Sequence, residues 1–149
     1  MNSLTEPLLT IMNRDLDKLA EELKQYPDEN SLWVISGSIK NSGGNLCLHL
    51  CGNLQHFIGT VLGKTGYVRN RDAEFSSRNI AKESLLAMIA ETKKAITSTL
   101  PGLTDTQLQS LYPQEVLGKP MTTLYFLIHL SAHLGYHLGQ VNYHRRLVA

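Results

Sequence analysis

Leu8, Met12, Leu16, Leu19 and Leu23 recur every three or four positions, with acids and lysines between them. This spacing sets one side of an α-helix against a core. It predicts a first helix from about Leu4 to Gln25, stopped before Pro27. A second stripe, Leu46, Leu50, Leu54, Phe57 and Val61, opens after Asn41-Ser-Gly-Gly and ends near Gly63. A third starts near Ser77, carries Ile80, Leu85, Met88, Ile89, Ile96 and Leu100, and stops at Pro101-Gly102. The fourth begins at Lys119-Pro120, where proline suits a first helical turn. Its stripe is Leu124, Leu127, Leu130, Leu134, Leu138 and Val141, and at 1.5 Å per residue it reaches ~40 Å.

The connections are informative too. Residues 28–42, with Trp33, Val34 and Ile35, read as an ordered loop or a short extended piece. Residues 64–77 read as a long connection between the second and third helices. Residues 104–112 predict a short helix with Thr104 and Gln107 as a capping box. Strand signals are almost absent, and no repeat or composition break divides the chain. The prediction is one all-α domain over residues 1–149, a four-helix bundle with one long crossover.

Composition narrows the function classes. A chain of 149 residues can bury a substantial core. With 42% hydrophobic residues, 18% charged residues and a net charge of +1, it lacks the basic excess of a nucleic-acid surface. No apolar run approaches the ~18 residues of a membrane span. The opening Met-Asn-Ser-Leu-Thr-Glu-Pro does not read as a signal peptide. Cys47 and Cys51 stand four apart on one predicted helix, a pair that rarely meets disulfide geometry. Their expected role is as small buried apolar groups, and the expected location is a reducing cytoplasm.

Histidine carries the candidate chemistry. Of six histidines, His129, His133, His137 and His144 lie on the fourth helix, and His49 and His56 on the second. His133 and His137, four apart, put two imidazoles on one face about 6 Å from each other at the backbone. They run beside the apolar stripe, where a ligand faces the bundle interior yet keeps a path to solvent. Neutral imidazoles suit zinc, nickel, copper and iron. A site of three imidazoles leaves a coordination position open for water or a thiolate. The third ligand has to come from the second helix. His49, in an apolar turn beside the small Gly52, is preferred, with His56 as competitor. His129 and His144 also fit by spacing, although a lone histidine satisfied by a carbonyl or water is the commoner case. Gln140, three past His137, is placed to bond a ligand or a bound group.

No Glu-x-x-His pair supports a di-iron carboxylate bundle, and no His-Glu-x-x-His a zinc protease. In the crossover, Asp72 and Glu74 are candidate bases or simply solvated loop carboxylates. Arg69 and Arg71 either bind a substrate carboxylate or pair with those acids. Trp33 lines a pocket or caps the core. Arg145 and Arg146 suit the last turn of a helix.

These residues carry a resemblance. The segment His49-Leu-Cys-Gly-Asn53 and the motif His133-Leu-Gly-Tyr-His137-Leu-Gly-Gln140 are similar to the signatures of the DinB-like superfamily, which includes YfiT-type proteins. The stretch from Tyr67 to Phe75 resembles the connection in an uncharacterised branch of it. The resemblance implies an up-down-down-up bundle with the long crossover between helices two and three. It implies a divalent metal on His49, His133 and His137. Zinc or nickel is the first expectation for that ion, and helical spacing for Gln140 and guanidinium chemistry for Arg71 give these two supporting or substrate-binding roles. It also implies a homodimer acting on a small molecule. Relatives use the metal to activate a low-molecular-weight thiol for transfer, conjugation or isomerisation. A metal-dependent hydrolase and a non-catalytic binding bundle are the alternatives, and no catalytic residue is assigned.

Overall fold

The computed structural model describes residues 3–148, so the domain limits drawn at residues 1 and 149 lie outside the described residues. Among the described residues there are six α-helices: α1 (Thr5–Lys24), α2 (Gly43–Leu54), α3 (Arg71–Ser76), α4 (Lys82–Thr99), α5 (Asp105–Gln109) and α6 (Thr123–Val148). Among the described residues there is no β-strand; Leu111 and Thr122 form an isolated antiparallel bridge. The fold is all-α. No helix among these residues is long and apolar enough to cross a membrane.

The four stripes read from the sequence supply the core. Met12, Leu16, Leu19 and Leu23 of α1 are fully buried, as are Leu50 and Leu54 of α2, Leu85 and Ile96 of α4, and Leu127 and Leu134 of α6. Burying each such side chain contributes about 1.5–3 kcal/mol. α1 packs against α4 and α6, and α2 packs against the same two.

Residue pairs give the relative directions. Gly59 lies against Ala95 and Gly63 against Thr99, so α2 runs the same way as α4. Gly43 lies against His144, whereas Phe57 contacts Phe126, so α2 opposes α6. Neighbouring helices that run the same way cannot be joined by a tight turn. The chain between α2 and α4 must travel back along the bundle, and residues 61–81 make that return. α3 sits within it, where the sequence predicted only a connection.

Three boundaries differ from the predictions. The second helix is α-helical to Leu54 and then widens into a π-helical segment, Gln55–Thr60. The Tyr112 hydroxyl donates to the Phe57 carbonyl within that segment (2.6 Å). The third helix starts at Lys82 rather than Ser77. Residue 77 is held by other partners, because Asn45 Nδ2 and Arg78 both bond the Ser77 carbonyl. The helix is then capped from a distance, the Lys82 amide donating to the Glu29 carboxylate at 3.1 and 3.2 Å. The fourth helix starts at Thr123, not Lys119-Pro120. Tyr112 N–H donates to Met121 O and Thr123 N–H to Ser110 O, each 2.9 Å, which keeps residues 121–122 extended. Thr122 Oγ1 then accepts from the Tyr125 amide (3.1 Å) and starts the helix.

The predicted short helix is α5, with the Thr104/Gln107 capping box formed. Residues 28–42 are ordered around a 3₁₀ turn, Asn30–Trp33. Trp33 is buried and packs where a side chain on Gly44 would stand, so it closes the core rather than lining an open pocket.

Candidate metal centre

The antiparallel packing of α2 and α6 brings His49 level with His133 and His137. His49 Nε2 lies 3.2 Å from His133 Nε2, and His137 Nε2 lies 3.1 Å from the same atom. The three ligand atoms all lie within 4.8 Å of one another. Nitrogens bound to one tetrahedral zinc at 2.0–2.1 Å stand about 3.3 Å apart, so the two short separations fit a shared ion.

The outer nitrogens show which way the lone pairs face. His49 Nδ1 donates to Glu74 Oε1 (3.0 Å), and a carboxylate can only accept. His137 Nδ1 donates to Gln140 Oε1 (2.6 Å). In the neutral form that a metal requires, both rings turn the lone pair of Nε2 inward. His133 can offer one Nε2–H to only one of them. A cation between the three rings satisfies all three lone pairs at once, so the donor set fits a metal ion, and the cluster can hold one.

Glu74, read from the sequence as a base, a solvated carboxylate or a partner of the crossover arginines, is paired with Arg69 and also bonds His49. It is not a solvated loop carboxylate: it is 5% exposed, in α3. Arg69 grips it with two bonds, Nε to Oε2 (2.8 Å) and a terminal nitrogen to Oε1 (3.0 Å). Burial alone would raise the Glu74 carboxyl, but the hydrogen bonds from His49 and Arg69, with their charges, hold it below its ordinary value. Gly52 makes this approach possible, since a Cβ there would overlap the Glu74 carboxylate. Asn45 fastens α3 in place, its Nδ2 donating to Glu74 O (3.0 Å) and Ser77 O (2.9 Å). Arg78 joins them, donating to Asn45 Oδ1 (3.0 Å).

Burial lowers the His133 imidazole to about 4, with His137, His49, His129 and Arg69 adding to the effect. Burial lowers His137 as well, against the opposing bond to Gln140. These two rings are neutral at pH 7, the form a metal requires. Two buried polar atoms here lack hydrogen-bond partners, His133 Nδ1 and Asn53 Oδ1. Asn53 follows His49 by four on α2 and shares its face. The sequence displayed it in the helix-two segment without marking it as special.

Other candidates fall elsewhere. His56 packs against Phe57 in the π segment, about 10.5 Å along the helix axis from His49, and is outside the cluster. His129 stacks on Phe126 and stands one turn from His133, also outside the cluster. Arg71 pairs with neither Asp72 nor Glu74; its guanidinium lies 5.2 Å from the Phe75 ring centroid. Cys47 and Cys51 are free, buried thiols. Arg145 binds Glu22 of α1 (2.5 Å).

A family model described as "Protein of unknown function (DUF1572)" matches residues 8–149. The chain belongs to the DUF1572 family. No curated protein and no solved structure matches it. The match spans all three clustered histidines, Glu74, Arg69 and Gln140, so the site lies wholly inside the family's domain.

Proposed function

We propose that this DUF1572 chain is a DinB-like, divalent-metal-dependent enzyme that transfers a low-molecular-weight thiol to a small electrophile. The carrying observation is the convergence of three imidazole Nε2 atoms with no thiolate or carboxylate among them. Such a ligand set keeps the full +2 charge of zinc or nickel and leaves a fourth position free. The ion, when bound, supplies a Lewis acid that favours the deprotonated form of a thiol or water at neutral pH.

The chain's own residues prepare that position. Glu74 holds the Nδ1 proton of His49 and so fixes its ring orientation and tautomer. Arg69 neutralises Glu74, which keeps the carboxylate a hydrogen-bond acceptor rather than a competing base. Gln140 does for His137 what Glu74 does for His49. Phe75, 4.8 Å from His49 between ring centroids, shields that side of the cluster from water. The substrate is a small molecule rather than a nucleic acid, and a homodimer belongs to the same reading. Leu4 just before α1, Ile11 of α1 and Ile128 of α6 are exposed and give such a dimer an apolar contact.

The test is a screen of zinc- and nickel-loaded protein with low-molecular-weight thiols and electrophiles, and in parallel with esters and amides. Thiol consumption that needs the metal and is lost in His133→Ala supports the proposal. Metal-dependent ester or amide cleavage without a thiol makes the protein a hydrolase instead. Metal binding with neither activity leaves a non-catalytic binding bundle.

A further inference from the structure

The charges around the cluster do not balance, and the imbalance points to the substrate. Glu74 is the carboxylate that touches the cluster, and Arg69 cancels it through two hydrogen bonds. The three ligand rings are neutral donors once a metal is held. A divalent ion therefore keeps both its charges, and Arg71 lies nearby with a guanidinium that no carboxylate binds.

Arg71 is unlike the other arginines. Arg14, Arg69 and Arg145 have carboxylate partners. Arg78 bonds Asn45 and two backbone carbonyls, and Arg146 reaches Asn142. The Arg71 side chain makes no hydrogen bond or ion pair among the described residues, with Asp72 or any other. It is exposed, at the first position of α3, where a cation is disfavoured by the helix dipole. Its one side-chain partner among the described residues is the Phe75 ring.

Its distance from the cluster is bounded by one shared ring. The guanidinium centre lies 5.2 Å from the Phe75 centroid, and that centroid lies 4.8 Å from the His49 ring. Packing on an aromatic face holds a guanidinium flat and leaves its N–H edges free for a carboxylate. Arg71 thus stands one aromatic ring away from a metal ligand, a separation that a short bifunctional ligand can span.

We propose that the substrate is a thiol bearing a carboxylate, with its sulfur at the open metal position and its carboxylate on Arg71. This inference rests on the thiol reading of the site. Two negative charges, thiolate and carboxylate, offset most of the excess positive charge. The carboxylate selects among thiols, and Arg71 is a specificity residue that takes no part in bond making.

The test uses cobalt-substituted protein and its visible absorption, titrated at low ionic strength with matched pairs: ω-mercaptocarboxylates of two to six carbons and the ω-mercaptoalcohols of equal length. At least one acid binds wild type about tenfold more tightly than its alcohol, the scale of one hydrogen-bonded charge. That preference disappears in Arg71→Ala and returns in part in Arg71→Lys, while alcohol binding is unchanged in both. Equal binding of acids and alcohols to wild type overturns the inference and leaves the open metal position intact. A preference that survives in Arg71→Ala also overturns it, since the metal alone then attracts the acid. No spectral change with any thiol overturns both this inference and the thiol reading beneath it.

Discussion

Two histidine sites share α6, and their difference separates a structural role from a chemical one. His144 is 3% exposed, more buried than His49 at 7%. Both of its nitrogens are occupied by the fold. Nδ1 accepts from the Tyr26 hydroxyl (2.7 Å) and the Gly43 amide (3.2 Å), and Nε2 donates to the Val34 carbonyl (2.9 Å). No lone pair is left for a metal. Those bonds tie the end of α6 to the start of α2 and to the loop after α1. At the other site the fold occupies only the outer nitrogens of His49 and His137, and their inner nitrogens converge with that of His133. Burial does not tell these sites apart; the partner of the second nitrogen does.

The largest contrast should be in stability. His144→Ala strands the Gly43 amide, removes the donor to the Val34 carbonyl and leaves the Tyr26 hydroxyl only a long bond to the Val141 carbonyl (3.4 Å), and should cost about 2–4 kcal/mol. His133→Ala, measured in chelator, should cost under about 1 kcal/mol, because its Nδ1 already lacks a partner. Denaturant unfolding of both variants measures the pair, and equal losses would erase the distinction drawn between the two sites.

Next is the hydrogen bond behind the cluster. Glu74→Gln should weaken metal affinity by about 10–100-fold, the usual effect of removing a carboxylate from a ligand histidine. Calorimetric titration with zinc measures it, and wild-type affinity would show that Glu74 serves only to pack α3.

A smaller effect concerns pH. In the folded chain His133 titrates at about 4 instead of its ordinary 6.5. As pH falls, the unfolded chain takes up this proton first, so metal-free stability is lost between about 6.5 and 4 and is fully present above that window. His133→Gln should flatten the fall when thermal unfolding is followed from pH 7 to 4. An unchanged slope would assign the loss to other groups. The smallest effect is expected at His56, where alanine should leave zinc affinity within about twofold, by the same titration.

Much of this was legible in the sequence, for local reasons. The four stripes and the α5 capping box depend on residues within one turn of each other, and they appear as read. The pairing of His133 with His137 is legible for the same reason. The starts of α4 and α6 were not. Lys82 is capped by Glu29, 53 residues away, and residues 121–122 are kept extended by bonds to Ser110 and Tyr112. Glu74 was misjudged because nothing near it in sequence says that it will be buried. Its burial depends on two neighbouring helices running the same way, which forces the return of the chain past α2, and on Gly52 leaving room for its carboxylate. The choice of His49 over His56, by contrast, was legible in its apolar turn beside Gly52, and α6 crosses α2 at that level.

The central claim is that three nitrogens hold one ion. Native mass spectrometry after equilibration with zinc and desalting tests it most directly, on wild type and on the His49→Ala, His133→Ala, His137→Ala and His144→Ala variants. The account requires one zinc per chain in wild type and in His144→Ala, and none in the other three. Zinc retained at full stoichiometry in His49→Ala, His133→Ala and His137→Ala alike, or lost in His144→Ala with the fold intact, would contradict it.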